Sequence, residues 1–406
     1  MPQAPSDTNI EARWLAPMTG EGLLAHHTLV IRDGRIVDVL PSDEAARRYQ
    51  PRVLVERSSH LLLPGLVNAR TSCTGGAEPG AHFDPEAALA SIASLVRSGT
   101  TCFCEVGCFP SEVARLAVGQ GLRAAIGLPV ARHPSPWAQD PGEYLSRGLR
   151  LRDEYKSHPS ISTLFAPIRP AEIDDATFAR LSTLVNELDA GIMVALHESE
   201  EEIGRSLSCH GVRQLERLER LGLLTPALTA SHALALDARD LALAERAGIG
   251  LTLCLSAGLL RGMGLPAPAA LAAKRLSLGT DGATFGAGQS LWTEIRLLAL
   301  RPAADPLAAL LAATRGGAAN LNLDAEIGSL EPGKWADLCC VDLGGPATQP
   351  WTDPLRQLVF SGGRDLVSDV WVAGRPLLSE GEFTRLDWPQ LAARFRSRQT
   401  VNGETA

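Results

Sequence analysis

Leu61-Leu-Leu-Pro-Gly-Leu-Val-Asn-Ala69 is an almost unbroken apolar run, too short for a buried helix and without the alternation of a half-solvated strand. A strand of this kind is covered on both faces, as in parallel sheets flanked by helices. Seven more segments of the same type follow: Thr100 to Val106, Arg123 to Val130, Ile161 to Ile168, Gly191 to Glu198, Ala227 to Leu234, Ile249 to Ser256 and Arg275 to Asp281. Stretches with helical spacing lie between them, among them Pro85 to Val96, Asp174 to Leu188, Glu200 to Leu221 and Asp237 to Ala247, the last opened by Asp237 as an N-cap. Eight βα units in succession predict an α/β fold, a closed (β/α)8 barrel of the TIM type over residues 59–326.

Outward from the barrel the pattern changes. Thr28-Leu-Val-Ile-Arg-Asp-Gly-Arg-Ile-Val37 and Val367-Ser-Asp-Val-Trp-Val-Ala-Gly-Arg-Pro-Leu377 alternate apolar and polar residues around Asp-Gly and Ala-Gly turns, the signature of hairpins. Residues 1–58 and 327–390 are therefore expected to form a small β-sandwich from both chain ends, with a weakly helical polar tail over 391–406.

The 406 residues carry 38 Lys+Arg against 46 Asp+Glu, a formal charge of −8, with 45% hydrophobic residues. An acidic chain without a basic block offers nothing to a nucleic-acid backbone. No apolar run approaches the ~20 residues that span a bilayer, and the first residues lack a secretory pattern, so the expectation is a cytoplasmic protein without membrane contact. Eight Cys in such a chain read as reduced thiols.

Three motifs resemble the amidohydrolase superfamily, in its branch of triazine hydrolases, guanine-type deaminases and methylthioadenosine/S-adenosylhomocysteine deaminases. They are Leu62-Leu-Pro-Gly-Leu-Val-Asn-Ala69, Ser277-Leu-Gly-Thr-Asp-Gly282 and, most specific, Ile327-Gly-Ser-Leu-Glu-Pro-Gly-Lys-Trp-Ala-Asp-Leu338. The resemblance runs in order along nearly the whole chain and implies the same barrel between sandwich halves, with a homodimer as the common assembly. It further implies one divalent metal, zinc or iron, which activates water against an aromatic C–N or C–Cl carbon. The ligands would be a His-x-His pair ending strand 1, a His each on strands 5 and 6, and an Asp ending strand 8, with a Glu near the strand-5 His moving protons.

Position by position, this sequence departs from that set. Arg70, Thr71 and Ser72 stand where His-x-His belongs. In Met193-Val-Ala-Leu-His-Glu-Ser199 the strand-5 ligand position falls on Ala195 and the proton-transfer position on Glu198. A rival register makes His197 the ligand and Glu200 the proton carrier. His232 in Thr229-Ala-Ser-His232 and Asp281 in Gly279-Thr-Asp281 remain. Pro167-Ile-Arg-Pro170 and Leu255-Ser-Ala-Gly258 depart from the substrate motifs, and the segment from Arg70 to Thr101 is shorter than the resemblance implies.

His232 and Asp281 alone cannot hold a catalytic zinc, so the sequence is expected to bind no metal cofactor. The leading expectation is a degenerate amidohydrolase with a non-hydrolytic, regulatory or partner-binding role. One alternative is metal-free acid–base chemistry by Glu198, His232 and Asp281 on a small molecule at the barrel mouth. The other is an active C–N hydrolase with unusual ligands: His197, or thiols of Cys102-Phe-Cys-Glu-Val-Gly-Cys108, chiefly Cys104 and Cys108. Two buried carboxylates without a cation would repel. Arg70 is long enough to reach across the mouth and neutralise Asp281 through a bidentate contact, unless it extends to solvent at the rim.

Overall fold

The computed structural model describes residues 3–74, 82–282, 290–301 and 305–403, with side chains as far as residue 398; part of the shortened segment after Arg70, residues 75–81, lies outside them. Eight parallel strands in chain order form the barrel. They are β5 (Leu66–Thr71), β6 (Thr100–Glu105), β7 (Arg123–Val130), β8 (Ile161–Pro167), β9 (Gly191–Leu196), β10 (Leu228–His232), β11 (Gly250–Leu253) and β12 (Leu276–Leu278). Each matches one apolar run of the sequence, and near-complete burial explains the absence of alternation. One strand face packs against the helices through residues such as Phe103, Ile126 and Ile192, while Val67, Cys102, Cys104, Ala125 and Met193 fill the interior.

The remaining strands are β1 (Ala4–Leu15), β2 (Leu24–Arg32), β3 (Arg35–Pro41), β4 (Tyr49–Pro64), β13 (Leu338–Asp342), β14 (Val367–Val372), β15 (Arg375–Ser379) and β16 (Glu382–Phe383). Both predicted hairpins are present, β2–β3 around Asp33-Gly34 and β14–β15 around Ala373-Gly374. The chain ends share one continuous mixed sheet, ordered β16-β15-β14-β13-β4-β1-β2-β3, in which only the β1–β4 pairing is parallel.

Two boundaries differ from the sequence reading. Leu61 to Pro64, taken with the first barrel strand, belong to β4 and pair with β13, and the barrel begins at Leu66. Gly65 makes the transition, since a Cβ there would lie 2.0 Å from Thr101 Oγ1. The predicted helix Glu200 to Leu221 is two helices, Glu200–His210 and Gln214–Arg220, because Gly211 adopts φ +71° and caps the first.

β5 and β12 close the barrel. Arg70 O accepts from Thr280 N at 2.9 Å, and Asn68 Nδ2 donates to Thr280 Oγ1 at 2.8 Å. A Cβ at Gly279 would stand 2.7 Å from Arg70 O, so only glycine permits this approach. The seam sets Arg70 beside Asp281.

The barrel and the end sheet are fastened by Asp337. Its carboxylate accepts from Arg123 Nε at 2.8 Å, Arg123 Nη2 at 3.2 Å and Ala373 N at 2.8 Å, and its carbonyl accepts from Gly65 N at 2.9 Å. Both side chains are buried. Removing one partner strands a buried charge, so Asp337→Ala is expected to destabilise the fold by about 3–5 kcal/mol, with Arg123→Met plus Asp337→Leu recovering part of it. Denaturant unfolding measures both; an unchanged midpoint in the single variant would contradict the assignment.

Glu105, at the end of β6, is fully buried and accepts from Cys73 N at 2.8 Å. Burial pushes its pKa up to about 7, against the pull of the Cys73 and Ser72 donors. A raised carboxyl pKa favours the protonated native state, so this stabilisation is complete below the unfolded value and is lost as pH rises through about 7. Glu105→Gln keeps the acceptor and lacks the titration. Wild-type stability is therefore expected to fall relative to that variant, by on the order of 1–3 kcal/mol, between about pH 4.5 and 7; parallel pH–stability curves would refute it.

Candidate active site

The strand ends open into a cavity of about 500 Å³ whose wall includes Arg70, Ser72, Ala195, Glu198, His232, Arg261 and Asp281. β5 delivers Arg70, with Ser72 just beyond it. Ala195 shares the interior face of β9 with Met193, and His232 ends β10. His232 and Asp281 both hold left-handed backbone, φ 65° and 63°, a conformation that costs non-glycine residues on the order of 1–3 kcal/mol and collects at functional sites.

Asp281 is the hub. Its Oδ1 lies 3.2 Å from His232 Nε2 and accepts from Arg70 Nε at 3.2 Å, while Oδ2 accepts from Arg261 Nη2 at 2.8 Å. Burial alone would raise this carboxyl's pKa; the His232 imidazole and the two guanidiniums outweigh it and hold it well below the usual carboxylate range. Arg70 is thus inside the mouth, with its side chain only 14% exposed, and makes one contact with Asp281 rather than a fork. Arg261 also binds Glu198, whose Oε1 is 4.0 Å from His232 Nε2. The three polar residues expected from sequence, Glu198, His232 and Asp281, do converge.

Other candidates do not join them. His197 is fully buried, with Arg213 Nη2 2.9 Å from its Nδ1 and Leu215 N 3.4 Å from its Nε2. Burial pushes its pKa down to about 4. It is a core histidine behind β9, which removes the rival register, and Glu200 is exposed at a helix start. Cys104 fills the barrel interior, where burial pushes its thiol far up. Cys108 is buried beside a separate small cavity shared with Ser135 and Tyr144.

Sequence reasoning missed Cys254, Arg261 and Glu294. Cys254 directly follows β11 and Arg261 follows the short helix Leu255–Leu260, so one connection supplies both. Glu294, fully buried, fixes that connection by accepting from Leu255 N at 2.7 Å and Ser256 N at 3.1 Å. Burial pushes its pKa up to about 7 against those donors. The departure at Leu255-Ser-Ala-Gly258 marked this connection as altered, but no spacing pointed to the thiol before it.

His232, Cys254 and Asp281 offer ligand atoms that all lie within 4.8 Å of one another, and no other such group of three occurs among the described residues. One imidazole, one thiol and one carboxylate match, in kind and number, the three protein ligands of an open catalytic zinc site. The donor set therefore fits a single divalent cation.

The amidohydrolase family model matches residues 61–377. A 5-methylthioadenosine/S-adenosylhomocysteine deaminase from Teredinibacter turnerae is 32% identical, covering 95% of this chain and 96% of its own length, and one from Saccharophagus degradans is 31% identical over 95% and 94%. Among solved structures, an adenosine deaminase from Xanthomonas campestris with bound zinc superposes with a TM-score of 0.93 at 34% identity, covering 99% of this chain and 100% of that one. A zinc-complexed atrazine chlorohydrolase from Arthrobacter aurescens, at TM-score 0.86 and 20% identity over 96% and 99%, shares the fold. The zinc bound in the adenosine deaminase structure overturns the expectation of no metal cofactor. That expectation counted ligands at motif positions and weighed thiols chiefly at Cys104 and Cys108, so it did not include Cys254, which lies next to His232 and Asp281. Nor do the relatives support a non-enzymatic reading, since each is named as an enzyme. Matched over most of its length by the family model and by relatives above 30% identity, this chain belongs to the amidohydrolase family.

Proposed function

We propose that the chain is a metal-dependent hydrolase that removes an exocyclic amino group from a purine-like ring, the reaction class for which its relatives are named. The observation that carries the reading is the convergence of His232, Cys254 and Asp281, whose ligand atoms lie within 4.8 Å of one another, with His232, Asp281 and Glu198 in the wall of a cavity of about 500 Å³. A cavity of that size accepts a nucleoside-sized molecule. A divalent cation bound there supplies Lewis acidity and brings the pKa of water toward about 7.

Hydrolytic deamination replaces a ring amino group with the oxygen of water and releases ammonia, so a proton lost by water must reach the leaving amine. Glu198 is suited to carry it: it faces the cavity, is about one-third exposed, and lies within 4.0 Å of His232. Arg261 bridges Glu198 and Asp281, holding the two like charges in one mouth. Arg169, Glu172 and Arg205 also line the cavity and give the substrate's non-reacting part a polar surface. A soluble small molecule is the proposed partner, and a second copy of the chain the proposed assembly.

Ammonia release from adenosine, methylthioadenosine, S-adenosylhomocysteine and guanine tests the reading. At least one is expected to turn over, with kcat lowered about 10²–10⁴-fold by Glu198→Gln and the melting temperature unchanged. Inertness toward all of them after zinc loading, or full activity of the variant, would overturn it. Dialysis against a chelator is expected to abolish turnover and lower the melting temperature, and added zinc to restore both, because a ligand bound to the native state alone stabilises it by mass action. Chelator-resistant turnover would exclude the metal.

A further inference from the structure

We propose that Cys254 is a metal ligand in this chain, its thiolate completing with His232 and Asp281 a three-residue site in place of the imidazoles missing at Arg70, Ser72 and Ala195. The inference rests on the metal-dependent reading above and specifies which atoms hold the ion.

Three observations carry it. The ligand atoms of His232, Cys254 and Asp281 lie within 4.8 Å of one another. His232 ends β10, Cys254 directly follows β11 and Asp281 lies three residues after β12, and these strands are consecutive neighbours, so the set is gathered on one side of the barrel. Second, the thiol is held in place: buried Glu294 accepts from the two backbone N–H groups that follow Cys254, so the peptide carrying the sulfur has little freedom. Third, the other thiols are otherwise engaged or remote. Cys102 and Cys104 pack inside the barrel, Cys339 and Cys340 in the core of the end sheet, Cys73 against Glu105, Cys108 beside a separate cavity, and Cys209 is exposed.

The charges close as well. Without an ion, Arg70 Nε on Oδ1 and Arg261 Nη2 on Oδ2, the latter shared with Glu198, supply the positive charge that Asp281 needs. When a divalent cation binds, the Cys254 S–H bond breaks, the sulfur keeps the electron pair and bonds the metal, and the proton passes to solvent. One carboxylate and one thiolate neutralise the ion, and the guanidinium of Arg70 becomes surplus. Arg70 and the metal therefore compete for one carboxylate oxygen, and Arg70 sets the affinity.

Cobalt(II) titration of the chelator-stripped full chain tests this without reference to turnover. A near-ultraviolet thiolate-to-cobalt charge-transfer band saturating at one equivalent is expected, lost in Cys254→Ala. Arg70→Met should bind cobalt about tenfold more tightly or better, as expected when a competing charge worth about 1.4 kcal/mol is removed. X-ray absorption of the zinc-loaded wild type, which needs no variant, should show one sulfur at about 2.3 Å. One equivalent of zinc with only nitrogen and oxygen neighbours would overturn Cys254 as ligand while leaving metal-dependent hydrolysis intact. No bound metal at all would overturn both. Unchanged cobalt affinity in a folded Arg70→Met would remove the competition.

Discussion

A carboxylate buried at the closing seam of the barrel is the constraint around which this mouth is arranged. Asp281 is fixed by the backbone contact between Thr280 and Arg70 and cannot swing away without opening the β5–β12 seam. An ionised group at that depth must be compensated, and three cationic or polarisable groups are drawn to it: His232, Arg70 and Arg261. Glu198 is then held through Arg261, so one charge at one strand end organises residues from four elements.

The fold was legible because burial on both faces writes itself into sequence as continuous apolar runs. Seven of the eight runs begin within a residue of the observed strands. The eighth misled because Leu61 to Ala69 is one apolar stretch serving two sheets. The division falls at Gly65, whose necessity arises from Thr101, far away in sequence. Likewise Glu200 to Leu221 keeps helical spacing through a break that only the left-handed Gly211 reveals.

The site was legible in part, and the division has a physical cause. Arg70, Ala195, Glu198, His232 and Asp281 occupy strand ends that motifs can locate, and the cavity gathers all of them. Cys254 and Arg261 belong to no motif. Arg261 reaches the cavity wall, and buried Cys254 comes close to His232 and Asp281, because β11 lies between β10 and β12 and because Glu294 grips the connection after it. Through-space neighbours of this kind have no fixed spacing, so counting lost imidazoles led to an empty site, while the tertiary arrangement keeps three donors together. The charge argument fared better: a long cation replacing a metal ligand beside a surviving carboxylate points to pairing, and the structure shows it in a single contact.

The end sheet takes part in this arrangement. Asp337, within the most specific of the sequence motifs, accepts from Gly65 N through its carbonyl and holds Arg123 through its carboxylate, which fixes the entry of β5. From Leu66 the strand is paired on one side with β6, and Val67 N donates to Ala313 O, so its register is set at the base. A β-strand advances about 3.3 Å per residue, so the position of Arg70 at the mouth follows from contacts made one strand length below it. The glycines at both ends of that path, Gly65 against Thr101 and Gly279 against Arg70, leave no room for slippage. A motif outside the cavity is thereby coupled to the charge balance inside it: the end sheet sets the height of β5, β5 sets Arg70, and Arg70 meets Asp281.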